Sequence, residues 1–238
     1  MERIEIKLPE YSYAMNEEVK SFRTNIQFAG KDKQVILVTS CIQGEGKSGT
    51  SFKLAKSFTE LKKKVLLVDA DLRASVMNGN IVGTRPKVGL SHFLSGQAPF
   101  SEVMYATNIR GLYTCVSGPV PPNPTELLSS KLFSDMIDSM RKNFDYIIID
   151  SAPLGLVVDA AILARVCDAA VLVVESGAIK RKVAQNVKQR LEETGCPLLG
   201  VVLTKVEHSG NKKYYDRYYG NYYGKYEADV DSLKKKRK

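Results

Sequence analysis

Three features that assign many proteins to a class are missing from this sequence. The four cysteines form no C-x-x-C pair, so neither the common zinc-site pattern nor a disulfide framework is indicated. No apolar run approaches the roughly 20 residues that span a bilayer, and the first residues contain no signal-peptide core. We therefore expect a soluble, cytoplasmic protein with reduced thiols.

The composition is that of an ordinary globular chain with an excess of positive charge. With 238 residues, 44% hydrophobic and 26% charged, the chain is long enough for one large α/β domain. The net charge of +9 is compatible with a nucleic acid or an acidic membrane as partner, but the terminal KKKRK supplies more than half of it. A solubilising tail explains that run equally well, so charge alone does not indicate DNA binding.

Short β-branched runs alternate with helical patterns up to about residue 207. The predicted strands, most of them continuously apolar, are Val35–Thr39, Val65–Asp69, Leu112–Val116, Tyr146–Asp150, Ala170–Val174 and Leu199–Leu203. The predicted helices are Ala14–Phe28, Lys47–Leu61, Thr125–Lys142, Val157–Val166 and Ile179–Glu193. This alternation predicts an α/β fold with a doubly wound, mostly parallel sheet flanked by helices over residues 1–207. Residues 208–238, rich in Tyr, Lys, Gly and Asn, are expected to be a flexible tail.

A phosphate-binding loop is predicted between the first strand and its helix. The segment Gly44-Glu45-Gly46-Lys47-Ser48 has the end of the P-loop pattern, although Cys41 stands where the first glycine of that pattern belongs. Small residues let backbone N–H groups close around phosphate oxygens at the positive end of a helix. In such a loop Lys47 reaches the β- and γ-phosphates, and the Ser48 hydroxyl binds Mg²⁺.

Carboxylates follow two other predicted strands. Asp69 and Asp71 lie at the end of VLLVDADLR, and Asp150 ends YIIID. Ligands of open α/β sheets bind outside the carboxyl ends of the strands, so these three side chains should converge on Mg²⁺ and the phosphates. Capping of the following helices is the alternative explanation. For Asp159 the sequence favours neither explanation over the other.

The order of these motifs resembles that of the deviant P-loop ATPases of the MinD/ParA group. Within that group the chain is similar to the bacterial tyrosine kinases that regulate capsule and exopolysaccharide synthesis. The resemblance covers about residues 10–226. It rests on GEGKS with VDADLR, on GPVPPNPTELL at Gly118–Leu128, on Glu17-x-x-Lys20-x-x-Arg23 and on the C-terminal tyrosines.

The resemblance implies an ATP-dependent protein-tyrosine kinase that phosphorylates its own tail with ATP and Mg²⁺. Lys47, Asp69 and Asp71 would be catalytic, with Asp69 as the base, and Ser48, Asp71 and Asp150 would hold the metal. Nucleotide contacts are expected from the loop and from the residues after the last strand: Gly44, Glu45, Gly46, Lys47, Ser48, Gly49, Thr204 and Lys205. The phosphoacceptors would be the tail tyrosines: Tyr214, Tyr215, Tyr218, Tyr219, Tyr222, Tyr223 and Tyr226.

The resemblance also implies partners. Glu17, Lys20 and Arg23, on a helix over about residues 14–28, would mediate ring-like self-association, with Lys20 in place of the family's first arginine. A membrane activator resembling a chain-length determinant would recruit the kinase to the inner face of the membrane as a separate chain, and a phosphotyrosine phosphatase would reverse its action. A positioning ATPase of the MinD/ParA type is the main alternative, but Ile42 occupies the position of that group's signature lysine. A nucleic-acid-binding module has only the Tyr/Lys composition of the tail in its favour.

Overall fold

The computed structural model describes residues 1–7, 9, 11–30, 32–83 and 85–206. Nine strands form its sheet: β1 Arg3–Ile6, β2 Val35–Ser40, β3 Val65–Asp69, β4 Ile81–Val82, β5 Met104–Thr107, β6 Leu112–Cys115, β7 Tyr146–Asp150, β8 Ala169–Glu175 and β9 Leu198–Thr204. Eight α-helices accompany them: α1 Tyr13–Phe28, α2 Lys47–Glu60, α3 Leu90–Leu94, α4 Phe100–Val103, α5 Pro124–Leu128, α6 Lys131–Arg141, α7 Asp159–Ala164 and α8 Arg181–Glu192. The tyrosine-rich tail lies outside the described residues.

The strand order in the sheet is β4-β1-β5-β6-β3-β7-β2-β8-β9. Pairing is parallel except between β1 and β4 and between β5 and β6. The strand β2 lies between β7 and β8, so the chain that leaves β2 must cross β7 to form β3. The predicted doubly wound, mostly parallel fold is therefore confirmed. The carboxyl end of β2 lies at a crevice of the kind in which such folds bind ligands.

Both faces of the central strands are buried, which explains their unbroken apolar sequences. In β2, Val35 and Leu37 pack with helices α5 to α8 on one face. Ile36 and Val38 pack with α1 and α2 on the other face. Because successive side chains of a strand point to opposite faces, each strand contributes to two cores.

The structure corrects one predicted helix and adds elements that the patterns did not indicate. The helix expected over Thr125–Lys142 is two helices, because Ser130 interrupts it and its Oγ accepts the N–H of Phe133 at 3.3 Å as the N-cap of α6. The strands β1, β4 and β5 and the helices α3 and α4 are each five residues or shorter. Elements of that length carry too little periodicity to be recognised.

The proposed self-association residues lie on α1. Lys20 Nζ donates to Glu17 Oε1 at 2.6 Å within the helix. Arg23 is buried, and its Nη1 donates to the Ser57 carbonyl at 2.6 Å and to its hydroxyl at 3.0 Å, which joins α1 to α2. Self-association through these residues stays a prediction. Within the chain, Arg23 also joins α1 to α2. Among the described residues, no helix combines the length and the apolar character that a bilayer span requires.

Candidate active site

The predicted site residues lie together at the carboxyl edge of the sheet. Asp69 ends β3 and Asp150 ends β7, and the two are directly paired in the parallel register. Neighbouring strands lie about 4.8 Å apart, so the two carboxylates start from adjacent positions. The loop after β2, which carries the P-loop sequence, follows the next strand along the same edge.

The P-loop turns through two glycines with left-handed backbone. Gly44 has φ 85° and Gly46 has φ 87°, a region that side chains with a Cβ rarely adopt. Gly46 is the N-cap of α2, which begins at Lys47. The N–H groups of the first helical turn therefore point out of the helix end, where they can bind phosphate oxygens.

Glu45 supports this loop from inside the protein. Its side chain is fully buried, and its Oε2 accepts the N–H groups of Cys41 at 2.6 Å and Ile42 at 2.8 Å. Its Oε1 accepts the N–H of Glu175, at the end of β8, at 3.2 Å. The carboxylate is thus a brace between the loop and β8. Because the side chain of Glu45 is turned inward, only its backbone can face a phosphate.

Asp69 and Asp150 are buried carboxyls with abnormal proton affinity. Burial, reinforced by the charge of Asp150, raises the pKa of Asp69 from 3.8 to about 7, although a hydrogen bond from the Ser75 hydroxyl opposes the shift. Burial likewise raises the pKa of Asp150 to about 6, against hydrogen bonds from Ser48 and Ser51 and the charge of Lys47. Perturbed carboxyls in a crevice are typical of catalytic sites.

One oxygen of each carboxyl has no hydrogen-bond partner among the described residues, namely Asp69 Oδ1 and Asp150 Oδ2. Buried polar atoms are normally paired, so these two are suited to a ligand. No three carboxylate, histidine or cysteine side chains within the described residues are grouped to hold an ion by themselves. Magnesium in nucleotide sites needs only one or two protein oxygens, because phosphates and water complete its shell. Asp150 and the Ser48 hydroxyl beside it fit that requirement.

Asp71 has a local role as well. Its Oδ1 accepts the N–H groups of Arg73 at 3.3 Å and Ala74 at 3.0 Å, which closes the turn after β3. This role closes a turn and is not the capping of a following helix. Asp71 also lies close enough to raise the pKa of both Asp69 and Asp150.

Asp159 does not cap a helix, which corrects that alternative. The N-cap of α7 is Val158, without a side-chain hydrogen bond, and Asp159 follows it, fully buried. Its Oδ2 accepts Arg73 Nε at 2.6 Å, and its Oδ1 accepts Arg73 Nη2 at 3.0 Å and the Thr125 hydroxyl at 2.9 Å. The cluster fastens the loop after β3 to α5 and α7.

Thr204 and Lys205 close the far side of the crevice. The Thr204 hydroxyl donates to the Glu45 carbonyl at 2.7 Å, and its methyl group lies beside Gly46. Lys205 Nζ donates to Glu175 Oε2 at 2.7 Å. A contact of these two residues with the nucleotide base stays a prediction. Gly49 lies in the first turn of α2, where a Cβ would meet no atom within 4 Å.

The sequence patterns missed three hydroxyls in the site. Ser51 Oγ donates to Asp150 Oδ1 at 3.2 Å, and Ser75 Oγ donates to Asp69 Oδ2. The Ser117 hydroxyl lies close enough to lower the pKa of Asp69. Ser51 was accessible in principle, because it lies four residues after Lys47 on the same helix face. Serine in a loop gives no such signal, so Ser75 and Ser117 could be found only in the fold.

The chain is similar in sequence and fold to several known proteins. A family model described as an AAA domain matches residues 33–192. The tyrosine-protein kinase CpsD of Streptococcus agalactiae is 45% identical over 193 residues, which cover 81% of this chain and 84% of the relative. CpsD of Streptococcus pneumoniae is 46% identical over 189 residues, 79% of this chain and 83% of the relative. The crystal structure of the chimerical protein CapA2B2 has a TM-score of 0.75 and 34% identity, covering 79% of this chain and 83% of that one.

Proposed function

This chain belongs to the bacterial tyrosine-protein kinases, and from that premise we propose that it transfers the γ-phosphoryl group of ATP to tyrosines of its own C-terminal segment. The observation that carries the proposal is the Asp69 carboxyl: it is buried, one of its oxygens has no partner among the described residues, and it lies beside Asp150 at the P-loop. A phosphoryl-transfer site needs such a group where the acceptor hydroxyl enters.

The loop would bind and orient the nucleotide. Backbone N–H groups from Gly44 to Ser48 surround the phosphates, and the Lys47 ammonium contacts the β- and γ-phosphates and stabilises the charge of the transition state. The Glu45 brace holds the loop in this shape before ATP arrives. Little reorganisation is then needed during the reaction.

Asp69 would accept the proton of the incoming phenol. The ordinary pKa of tyrosine is near 10, so a nearby base lowers the cost of deprotonation at neutral pH. As the phenolic oxygen forms its bond to the γ-phosphorus, the bond from that phosphorus to the β–γ bridging oxygen breaks and ADP leaves. The proton passes from the phenol to Asp69 Oδ1 and from there to water.

Ser48 and Asp150 would hold Mg²⁺, with Asp71 contributing directly or through water. The ion supplies charge neutralisation for the β- and γ-phosphate oxygens. Burial raises the pKa of Asp150, and the charge of the nearby Lys47 opposes that rise and so favours the ionised carboxylate.

The acceptors would be the seven tyrosines from Tyr214 to Tyr226. About 20 extended residues from Glu207 to Tyr226 span roughly 60 Å, so the segment can reach the site of a neighbouring copy in a ring. Each phosphotyrosine adds about −1.5 to −2 charges, and seven add roughly −10 to −14. That change exceeds the net charge of +9 and reverses its sign. Modification would then alter how the chain associates with itself or with an acidic surface.

The cellular role that the family resemblance supports is control of capsule or exopolysaccharide synthesis and export. A separate membrane activator would recruit the kinase to the cytoplasmic face of the membrane, self-association through α1 would form the ring, and a phosphatase would remove the phosphates.

Incubation of the purified chain with γ-labelled MgATP tests the proposal. We expect label on the C-terminal peptide, identified as phosphotyrosine by mass spectrometry. Lys47→Met should abolish the label, and Asp69→Asn should abolish it while ATP still binds. Persistent phosphotyrosine in the purified Lys47→Met protein contradicts the mechanism, whereas release of free phosphate alone favours the positioning ATPase.

A further inference from the structure

A groove of about 320 Å³ lies between α3 and the loop that joins β6 to α5. One wall consists of α3 and the turn after it, and the other is the proline-rich loop with the first turns of α5. The lining residues are Ser91, His92, Ser95, Gln97, Pro119–Asn123 and Leu127. None of these residues is an acid, a lysine or an arginine.

The groove adjoins the proposed active site through Ser117. The N–H of Ser91, on its inner wall, donates to the carbonyl of Ser117 at 2.9 Å. The hydroxyl of the same Ser117 lies close enough to the Asp69 carboxyl to lower the pKa of that carboxyl. One residue therefore joins the groove wall to the proposed base. The walls also approach closely at Gly89 and Gly118, where a Cβ on Gly89 would lie 2.4 Å from the Gly118 nitrogen.

The lining combines apolar rings with neutral hydrogen-bonding groups. The Ser91 hydroxyl is buried, and it has no hydrogen-bond partner in the part of the chain that the structure describes. His92 Nδ1 accepts the N–H of Gly89 at 3.1 Å, so in the neutral ring the proton is on Nε2, which can donate to a ligand. Val120 is 68% exposed, and three proline rings adjoin it. A flat ring with a neutral hydroxyl matches these surfaces.

We infer that this groove binds unphosphorylated tyrosines of the segment Lys212–Glu227. The bound tyrosines are the ones next to the pair that is being phosphorylated in the active site. The inference rests on the proposed function. Aromatic side chains pack well on exposed proline-rich backbone, which is how proline motifs are recognised elsewhere. Successive tyrosine pairs are four residues apart, about 13 Å when extended, so one pair occupies the groove while its neighbour reaches Asp69.

The position of the chain end lets the segment of the same chain reach the groove, besides the segment of a neighbouring copy. The described chain ends at Val206 beyond β9, and the sheet order sets β9 five strand spacings, about 24 Å, from β6. Tyr214 follows Val206 by eight residues, which reach about 26 Å when extended. Because neither a lysine nor an arginine is among the residues that line the groove, a phosphotyrosine dianion finds no permanently charged partner there. The groove therefore retains unmodified tyrosines and releases phosphorylated ones.

The test is the binding of a fluorescently labelled peptide, KKYYDRYYGNYYGKYE, to the full-length chain without ATP, followed by anisotropy. Ser91→Ala and Pro122→Ala should each weaken binding about 3- to 10-fold, the size of a lost aromatic or hydrogen-bonding contact. Ser139→Ala, at an exposed position of α6, and Pro99→Ala, an exposed proline outside the groove, are the matched controls and should bind like the unmodified chain. Ser91→Ala should not lower the denaturant midpoint, because its buried hydroxyl has no hydrogen-bond partner among the described residues.

The same peptide with phosphorylated tyrosines should bind about 10-fold more weakly. Unchanged affinity of both groove variants, or equal affinity for the phosphorylated peptide, overturns the inference. Phosphorylation of the peptide with MgATP is measured separately. If the peptide binds the groove but is not phosphorylated, the proposed function is contradicted. If the peptide is phosphorylated but does not bind the groove, only the inference about the groove is contradicted.

Discussion

Arg73 and Asp159 are 86 residues apart in sequence, and their side chains form two hydrogen bonds, Nε to Oδ2 at 2.6 Å and Nη2 to Oδ1 at 3.0 Å. Arg73 belongs to the loop after β3, and Asp159 begins α7. Their environments differ, because the Asp159 side chain is fully buried while that of Arg73 is 37% exposed. The paired planes of guanidinium and carboxylate fix the loop that carries Asp71 in one orientation.

This asymmetry predicts unequal costs of removing either partner. Arg73→Ala leaves a buried carboxylate with only the Thr125 hydroxyl and should lower the free energy of unfolding by about 3–5 kcal/mol. Asp159→Ala should cost less, about 1–3 kcal/mol, because the exposed guanidinium regains water. The double variant should resemble Asp159→Ala in urea unfolding. Additive losses would show that the pair is not coupled.

The Glu45 brace predicts different outcomes for two substitutions. Glu45→Ala leaves three backbone N–H groups without their acceptor, so it should lower both stability, by about 2–4 kcal/mol, and ATP affinity. Glu45→Gln retains the shape and removes a negative charge near the phosphates. It should bind ATP at least as tightly as the unmodified chain, with a stability loss of about 1–2 kcal/mol. Nucleotide titration and denaturant unfolding measure both effects, and equal ATP affinity of the two variants would argue against a bracing role.

The raised pKa of Asp69 predicts a pH-dependent stability. Between about pH 4 and pH 7 the folded chain retains a proton that the unfolded chain has released, so the free energy of unfolding falls as pH rises. Asp69→Asn removes this effect. Without divalent cations, its stability gain should be small near pH 4 and grow toward pH 8, to on the order of 2–4 kcal/mol.

Asp145→Asn is the control for this prediction. Hydrogen bonding from the Lys64 N–H lowers the pKa of Asp145, so this carboxyl is ionised in the folded and unfolded chain above pH 5. The difference between Asp145→Asn and the unmodified chain should therefore be constant from pH 5 to pH 8. If the Asp69→Asn difference is equally constant, Asp69 does not hold a proton in the folded state.

Two glycines near the P-loop predict opposite responses to alanine. Gly49 has open space around its Cβ position, so Gly49→Ala should stabilise the first turn of α2 by about 0.5–1 kcal/mol. A Cβ on Gly155 would lie 2.0 Å from the Cys41 carbonyl oxygen. Gly155→Ala should therefore cost about 1–3 kcal/mol and weaken ATP binding by displacing the loop. Thermal unfolding and nucleotide titration provide the comparison, and a neutral Gly155→Ala would mean that the loop can move aside without loss.

The main strands could be predicted because burial on both faces makes their sequences continuously apolar. The six predicted strands correspond to β2, β3, β6, β7, β8 and β9 with ends that differ by one residue at most. The strand β1 was not predicted because it has only four residues, which is too short a run for its alternation of exposed and buried positions to stand out. The break at Ser130 was hidden because apolar residues continue at helical spacing on both sides of it.

The sequence by itself determined the chemistry available at the edge of the sheet: a P-loop lysine, two carboxylates that end buried strands, and a tyrosine-rich segment. These are local patterns, and each depends on residues a few positions apart. The tertiary structure decided which partner each polar group has, because partners such as Arg73 and Asp159, or Glu45 and the N–H of Glu175, are far apart in the chain and meet only when the sheet is ordered. It also decided protonation, since the pKa of Asp69 depends on burial and on Asp150, and neither can be read from neighbouring residues.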